Sequence, residues 1–189
     1  MDDIVKQAMA KWPNVPACYG GLALDARGDW YMRDDRVQAA GAFPAVKGSR
    51  LVHDKLVDFI ARNYASDDCG HWYFQNGPQR VYVELEATPV ILRVEPAPGF
   101  AVSAHTGQLA QIAQLPQAAP AAQPATCLVG DDGRVYLLTD LGFGLVHTLD
   151  MTHAADAIEA GVWQPQPGAA AAFPARFGFV RRPQSLQKT

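Results

Sequence analysis

Three short stretches of the chain share one pattern, in which acidic and small residues precede a glycine, and a polar residue, a large apolar residue and a tyrosine follow it. The stretches run from Asp25 to Tyr31, from Asp67 to Tyr73 and from Asp131 to Tyr136. Aspartate tolerates turn dihedral angles, glycine supplies a positive φ, and Trp, Val and Tyr favour a pleated surface. The pattern therefore predicts three tight turns that each lead into a strand, in a fold built by repetition.

The composition is that of a globular protein. Of the 189 residues, 49% are hydrophobic and 19% are charged, which suffices for a buried core without a metal or a disulfide. The net charge of −3 provides no concentrated basic surface, so neither nucleic acid nor a membrane is an expected partner. The C-terminal residues 183–189 are interpreted as a solvated tail.

The three cysteines, Cys18, Cys69 and Cys127, are odd in number, and their spacings match no zinc or disulfide framework. They predict reduced thiols in a cytoplasmic protein. The N-terminal residues lack a basic region followed by an apolar run, and no window approaches about 18 uncharged apolar residues. Neither a secretory signal nor a membrane-spanning helix is therefore expected.

Apolar spacing predicts a short amphipathic helix over residues 2–11 and a longer helix over residues 50–64, capped by Ser49. Strands are expected at residues 19–25 and 30–33, on either side of the first turn, and in an antiparallel meander over residues 72–103. The predicted fold class is α+β, with curved antiparallel sheets, about three helices and a pseudo-duplicated hairpin-helix motif.

The alternation of side chains also predicts a register within the meander. If residues 87–90 form a loop, Leu85 faces Leu92 on the buried side, and Glu84 faces Arg93 on the outer side. A slip by one residue would place Arg93 opposite an apolar residue in the core. The pairing of Glu84 with Arg93 is therefore the expected one.

The second half of the chain follows a segment rich in Ala, Pro and Gln, residues 113–126, which is typical of a linker or a long surface loop. Beyond it, strands are predicted at residues 127–130 and 135–139, an apolar run at 143–149 and a helix over 152–160. A loop over 164–172 and a final strand over 173–180 complete the prediction. The chain is interpreted as one compact unit of two pseudo-repeats, residues 12–112 and 127–182, which indicates an ancient duplication.

Two local patterns have both a chemical and a structural interpretation. Gly142-Phe-Gly144 follows a strand, as a phosphate-binding loop does, but the third glycine and the following helix are missing, which favours a strand bend. Cys69 and His71 could form a thiol–imidazole pair, but both lie in a predicted turn and the sequence offers no orienting group. An exposed turn thiol is the favoured interpretation.

One local cluster contains metal-type ligands, namely His147, Asp150, His153 and Asp156. On a helix, His153 and Asp156 could share a face, but a helix cap at Asp150 or Thr152 explains the same residues without a metal. No catalytic, cofactor-binding or metal-binding residue is therefore assigned, and no cofactor is expected.

The aromatic residues suggest where a partner could bind. Trp30 and Trp72 occupy equivalent places in the repeated pattern, which favours a role in core packing. Trp12 follows the N-terminal helix beside two prolines and is the best candidate for a surface aromatic residue. Together with Tyr82, Glu84 and Arg93 of the meander, it is expected to form an interaction surface.

Three stretches carry a resemblance to a known family: residues 11–20, Lys-Trp-Pro-Asn-Val-Pro-Ala-Cys-Tyr-Gly, residues 24–34 and residues 76–86. They resemble a family of uncharacterised bacterial proteins, found mostly in beta-proteobacteria, over nearly the whole chain. The order of hairpin, helix, meander and short helix is also similar to a second uncharacterised bacterial family. That resemblance implies an α+β fold with repeated motifs and a regulatory or signalling role, and supplies no catalytic residues.

A repeated scaffold without a catalytic constellation favours a non-enzymatic binding module for an unknown protein or small ligand. The alternative is a small enzyme, a hydrolase that uses Asp150, His147 and His153 from dispersed positions. A third hypothesis is a homodimer formed along an uncovered sheet edge.

Overall fold

The structure is a computed structural model that describes residues 1–113 and 125–188. Residues 114–124, which form most of the predicted linker, lie outside the described residues. The chain divides into two units: unit 1 contains Met1–Ala87 and Gly178–Thr189, and unit 2 contains Thr88–Phe177. The predicted halves, residues 12–112 and 127–182, have different bounds, because the chain enters the second sheet soon after Ala87 and returns to unit 1 at Gly178.

Unit 1 contains one six-stranded sheet and three helices. The helices are α1 (Asp3–Lys11), α2 (Asp35–Ala40) and α3 (Asp54–Arg62), and the strands are β1 (Cys18–Leu24), β2 (Trp30–Met32), β3 (Ser49–Arg50), β4 (Tyr64–Ser66), β5 (Trp72–Asn76) and β6 (Gln79–Leu85). The strand order is β3-β2-β1-β6-β5-β4. The central pair, β1 and β6, is parallel, and the other pairs are antiparallel.

Among its described residues, unit 2 contains one seven-stranded sheet. Its strands are β7 (Val90–Val94), β8 (Val102–Ala104), β9 (Leu109–Ala110), β10 (Ala125–Gly130), β11 (Val135–Thr139), β12 (Gly142–Val146) and β13 (Trp163–Gly168), and its helices are α4 (Met151–Glu159) and α5 (Phe173–Phe177). The strand order is β13-β10-β11-β12-β7-β8-β9, in which β10 pairs with β13 and β12 with β7 in parallel.

The three predicted turns are confirmed. Each joins an antiparallel pair, β1–β2, β4–β5 or β10–β11, and its glycine has a positive φ, which is 82° at Gly28, 78° at Gly70 and 74° at Gly133. In each turn, an aspartate accepts one or two backbone N–H groups with one oxygen and a tyrosine hydroxyl with the other. The tyrosine–aspartate pairs are Tyr31–Asp25 at 3.2 Å, Tyr82–Asp67 at 3.1 Å and Tyr136–Asp132 at 2.6 Å.

The α+β class and the curled sheets are confirmed. The described part of the chain has five α-helices rather than about three, and three strand pairs are parallel. These pairings join strands that are distant in the chain, so the local alternation of side chains does not predict them. Trp30 is buried, as predicted, and Trp72 is half-buried against Tyr64, with ring centroids 4.8 Å apart.

The predicted register between residues 79–86 and 90–94 is wrong. The first segment, β6, pairs with β1 and β5, and the second, β7, pairs with β12 and β8. Glu84 lies opposite Ala23 of β1, and Arg93 lies opposite Ser103 of β8. The predicted pairing of Glu84 with Arg93 therefore does not form, because each strand finds longer-range partners.

Two predicted element boundaries also require correction. Ser49 does not cap α3, because it lies in β3 and pairs there with Met32 of β2. His53 caps the helix instead, since its Nδ1 accepts the N–H of Leu56 at 3.3 Å. The predicted loop over residues 164–172 contains β13, and the predicted final strand contains α5. An edge strand tolerates the prolines that suggested a loop, since its outer side needs no N–H donors.

Residues 178–188, termed the C-terminal segment, belong to unit 1. Arg181 O accepts the N–H of Leu85 at 2.8 Å, and Val180 donates its N–H to Gly70 O at 3.0 Å. A 3-10 turn, Pro183–Lys188, contacts β1 and β6. The interpretation of residues 183–189 as a solvated tail is therefore wrong for Pro183, which is buried, and for Gln184, which is half-buried.

Candidate functional site

A cavity of about 660 Å³ lies against one face of the unit 1 sheet. Leu22 of β1 pairs with Met32 of β2, and Phe74 of β5 pairs with Val81 of β6. Paired residues project to the same face, so these four side chains form a continuous apolar floor. Leu22 and Phe74 are each 5% exposed, whereas Met32 is 54% exposed at the rim.

The cavity has walls from α2 and α3. The apolar face of α3 places Leu56 and Ile60 against the floor, and Phe59 packs edge-on against Phe74 with ring centroids 5.4 Å apart. The α2 wall contributes Val37. The Asp34 side chain fixes the start of α2 by accepting the N–H of Val37 at 2.9 Å.

A buried arginine holds the α2 side of the cavity in place. The Arg33 guanidinium donates to three carbonyl oxygens, those of Gly41 at 2.6 Å, Val46 at 3.3 Å and Gly20 at 3.4 Å. Burial lowers the pKa of Arg33, while the charge of Glu84 acts in the opposite direction. Because these donors already have acceptors within the protein, the guanidinium acts as a brace for the wall.

One thiol also lines the cavity. Cys18 is half-buried, and a Cβ on Gly21 would lie 3.3 Å from its Sγ, so the thiol packs closely on β1. The other two cysteines differ from it: Cys69 is exposed, and Cys127 is buried in unit 2, where burial raises its pKa to about 11. Cys18 is therefore a chemical reporter of access to the cavity.

The predicted interaction residues occupy different environments. Trp12 is 51% exposed at the end of α1, with the Lys11 ammonium 4.5 Å from its ring centroid. Tyr82 and Glu84 are buried, at 7% and 4% exposure, and Arg93 belongs to unit 2. Tyr82 and Glu84 are therefore not surface residues, because the sheet face that carries them is covered.

The predicted histidine and aspartate cluster fastens α4 to β7 within unit 2. Asp150 accepts from Arg93 Nε at 2.5 Å, from Arg93 Nη2 at 3.0 Å and from Val94 N at 3.0 Å, and His153 Nδ1 lies 2.8 Å from Val94 O. Burial would raise the pKa of Asp150, but these donors outweigh it and the pKa is lowered. His147 Nδ1 accepts the N–H of Leu149 at 3.1 Å.

The thiol–imidazole pattern has the orienting group that its sequence did not reveal. His71 Nδ1 lies 3.0 Å from Asp67 Oδ2. Asp67 is itself the turn aspartate, which accepts the N–H groups of Cys69 and His71 at 3.0 and 2.9 Å. Burial would raise the pKa of Asp67, yet these hydrogen bonds lower it. The hydrogen bonds of Asp67 with Cys69 and His71 therefore stabilise the turn.

Within residues 1–113 and 125–188, no group of three or more His, Cys, Asp or Glu side chains is placed to hold a metal ion. Over the same ranges, no helix combines the length and apolar character needed to cross a membrane. The cavity in unit 1 is the candidate site that the geometry favours, because paired strand residues form its floor and α2 and α3 form its walls.

A family model described as "DUF2944: Protein of unknown function (DUF2946)" matches residues 1–184. The chain belongs to this family. Among curated proteins, none matches the DUF2944 chain significantly.

Two solved structures resemble the DUF2944 chain. One is a DUF1285 family protein from Shewanella baltica OS155, which has 19% sequence identity and a TM-score of 0.43. The match covers 72% of this chain and 91% of that one. The other is a DUF1285 family protein from Silicibacter pomeroyi DSS-3, which has 14% sequence identity and a TM-score of 0.46. The match covers 82% of this chain and 84% of that one.

The sequence interpretation of this DUF2944 protein missed the α2 wall. A signal was present, because Asp34 followed by Asp35 and Val37 is a helix-start pattern. The six-residue helix is too short to show apolar periodicity. The cavity as a whole had no sequence signal, since its lining comes from strands and helices between Cys18 and Val81 that meet only in the folded sheet.

Proposed function

We propose that this DUF2944 protein is a non-enzymatic binding module whose unit 1 cavity takes a small, largely apolar ligand. The single observation that carries the proposal is the cavity itself, with its floor of paired strand residues and its two helical walls. Its volume of about 660 Å³ falls within the range of roughly 300–1,000 Å³ typical of small-molecule sites.

The chemistry of the lining supports an apolar occupant. The apolar lining side chains that a ligand can still cover are Met32, which is 54% exposed, and Val37 and Leu56, which are half-buried. The buried polar group beside them, Arg33, is already bonded to carbonyl oxygens. A ligand therefore gains mainly by removing apolar surface from water, at about 25 cal/mol per Å².

The wider role we propose is regulatory or signalling, in a cytoplasmic protein of a beta-proteobacterial family. Three free thiols are consistent with a reducing compartment. A protein partner at Trp12 is a second interaction that its 51% exposure favours. Association of two copies along a sheet edge remains a prediction, and light scattering coupled to size-exclusion chromatography measures it.

The test is a fluorescence titration with N-phenyl-1-naphthylamine, a neutral apolar probe. We expect saturable binding of one probe per chain. Val37→Trp, which projects an indole into the cavity from α2, should abolish it, whereas the matched Val162→Trp on the surface of unit 2 should leave the affinity unchanged. Binding that is absent, non-saturable or unaffected by Val37→Trp refutes the proposed function.

A further inference from the structure

The α2 wall of the cavity is hydrogen-bonded to the C-terminal segment through one pair of glutamines. Gln38 lines the cavity on α2. Its Nε2 donates to Arg33 O at 2.9 Å, and its Oε1 accepts from Gln184 Nε2 at 2.9 Å. Both ends of the Gln38 amide are thus held, one by the wall itself and the other by a residue that follows it by 146 positions in the chain.

The glutamine pair also packs tightly against β1. Gly20 has a φ of +71°, and a Cβ at this position would lie 2.5 Å from both Gln184 Nε2 and Gln38 Oε1. The register of β1 against β6 shifts between Cys18 and Leu22, which places Gly20 in the irregular stretch. Cys18 and Gly21, on either side of Gly20, line the cavity, so a displacement of the pair reaches the lining directly.

Gln184 is itself anchored to the central sheet. Its backbone N–H donates to Glu84 Oε1 on β6 at 2.9 Å, and Glu84 is 4% exposed. Two backbone hydrogen bonds closer to the start of the segment also hold it, one from Val180 N–H to Gly70 O and one from Leu85 N–H to Arg181 O. The segment therefore has a fixed position from which Gln184 can act on α2.

We infer that the C-terminal segment sets the shape of the ligand cavity, with Gln184 as the residue that positions the α2 wall through Gln38. This inference rests on the proposed function for its ligand, although the positioning of the wall does not require one. Thermodynamic linkage then couples the two events: docking of the segment strengthens ligand binding, and a bound ligand strengthens docking of the segment.

The first test measures the wall without a ligand. In a Cys69→Ser background, the rate at which N-ethylmaleimide labels Cys18 reports opening of the cavity. Gln184→Met keeps the size of the side chain and removes its hydrogen bond to Gln38, so we expect labelling about fivefold faster, with little dependence on urea. Gln7→Met, an exposed change on α1, is the matched control. An unchanged labelling rate overturns the inference. So does faster labelling whose rate rises with urea as steeply as global unfolding does.

The second test measures coupling to the probe. Gln38→Met and Gln184→Met should each raise the Kd for N-phenyl-1-naphthylamine about fivefold, and the double variant should raise it no further. Saturating probe should slow exchange of the Gln184 amide hydrogen. Additive effects, or an unchanged Kd in Gln184→Met while Val37→Trp abolishes binding, overturn the inference and leave the proposed function standing. If the wild type binds no probe, the proposed function fails and the Cys18 rates alone decide the positioning role.

Discussion

At the scale of single residues, the turn aspartates are acceptors for the protein's own donors. Asp25 is 2% exposed and accepts the N–H groups of Arg27 and Asp29 at 2.9 and 3.0 Å. Its other oxygen lies 2.9 Å from Lys47 Nζ, which also lies 3.1 Å from Glu86. The carboxylate thus joins a turn to a loop, and its removal leaves several donors without a partner.

The charge of Asp25 should make stability depend on pH. Burial alone would raise its pKa, but the hydrogen bonds from Lys47, Arg27 and Asp29 outweigh burial and lower the pKa below the ordinary 3.8. The unfolded chain therefore binds this proton more readily than the folded chain. The stabilisation is present above the unfolded value of 3.8 and is lost as pH falls through it towards the folded pKa.

Asp25→Asn should accordingly lower the free energy of unfolding by about 2 kcal/mol at pH 7, with a difference from the wild type that shrinks towards pH 3. Urea denaturation across this range measures it. Asp68→Asn, at an exposed position of the second turn, is the control and should stay within about 0.5 kcal/mol. A difference between wild type and Asp25→Asn that is constant with pH argues against the ionised carboxylate as the cause.

At the scale of elements, the turns were predictable because their chemistry is local. Asp, Gly and the following aromatic or branched residues specify turn and strand within a few positions. The parallel pairs β1–β6 and β7–β12 were not predictable, because their partners are separated by long crossovers and alternation alone favours the nearest hairpin. The same preference produced the incorrect pairing of Glu84 with Arg93.

Two of the turn glycines differ in their surroundings, which gives a matched comparison. Gly70 and Gly133 have similar positive φ values, 78° and 74°. A Cβ on Gly70 would overlap the carbonyl oxygen of Gly178, whereas a Cβ on Gly133 would meet nothing within 4 Å. The second turn therefore packs closely against the C-terminal segment.

We expect Gly133→Ala to cost about 1–2 kcal/mol, the conformational penalty of a left-handed residue. Gly70→Ala should cost clearly more, because the backbone of Gly178 must also move. Thermal and urea denaturation of both variants measure the difference. Equal losses would show that the segment does not pack against the turn as described.

At the scale of the whole molecule, unit 1 is discontinuous in the chain, since unit 2 lies between Ala87 and Gly178. The segment that returns supplies the N–H that Glu84 accepts and the carbonyl to which Leu85 donates. In the sequence, this end of the chain has basic residues and no acidic ones, which is typical of a solvated terminus, and its contacts with β6 have no local signal. The cavity was not predicted either, because its lining assembles only once the central parallel pair forms.

Ending the chain at Phe177 should therefore destabilise unit 1, including strands far from the C-terminus, while unit 2 keeps its own sheet. Hydrogen exchange resolved by residue measures this prediction. We expect amides of β5 and β6 to lose protection and those of β11 and β12 to retain it. Full protection of β6 in the shortened chain would refute the role of the segment, and loss of protection in both units would refute their division.

If the unit 1 cavity binds an apolar small molecule, a bound molecule should protect Cys18 from alkylation. Mass spectrometry follows the labelling of Cys18, Cys69 and Cys127 by N-ethylmaleimide with and without saturating N-phenyl-1-naphthylamine. We expect the probe to slow labelling of Cys18 by about tenfold or more at probe concentrations at least ten times Kd, and to leave labelling of exposed Cys69 unchanged. Equal labelling of Cys18 with and without the probe would show that the cavity does not bind it.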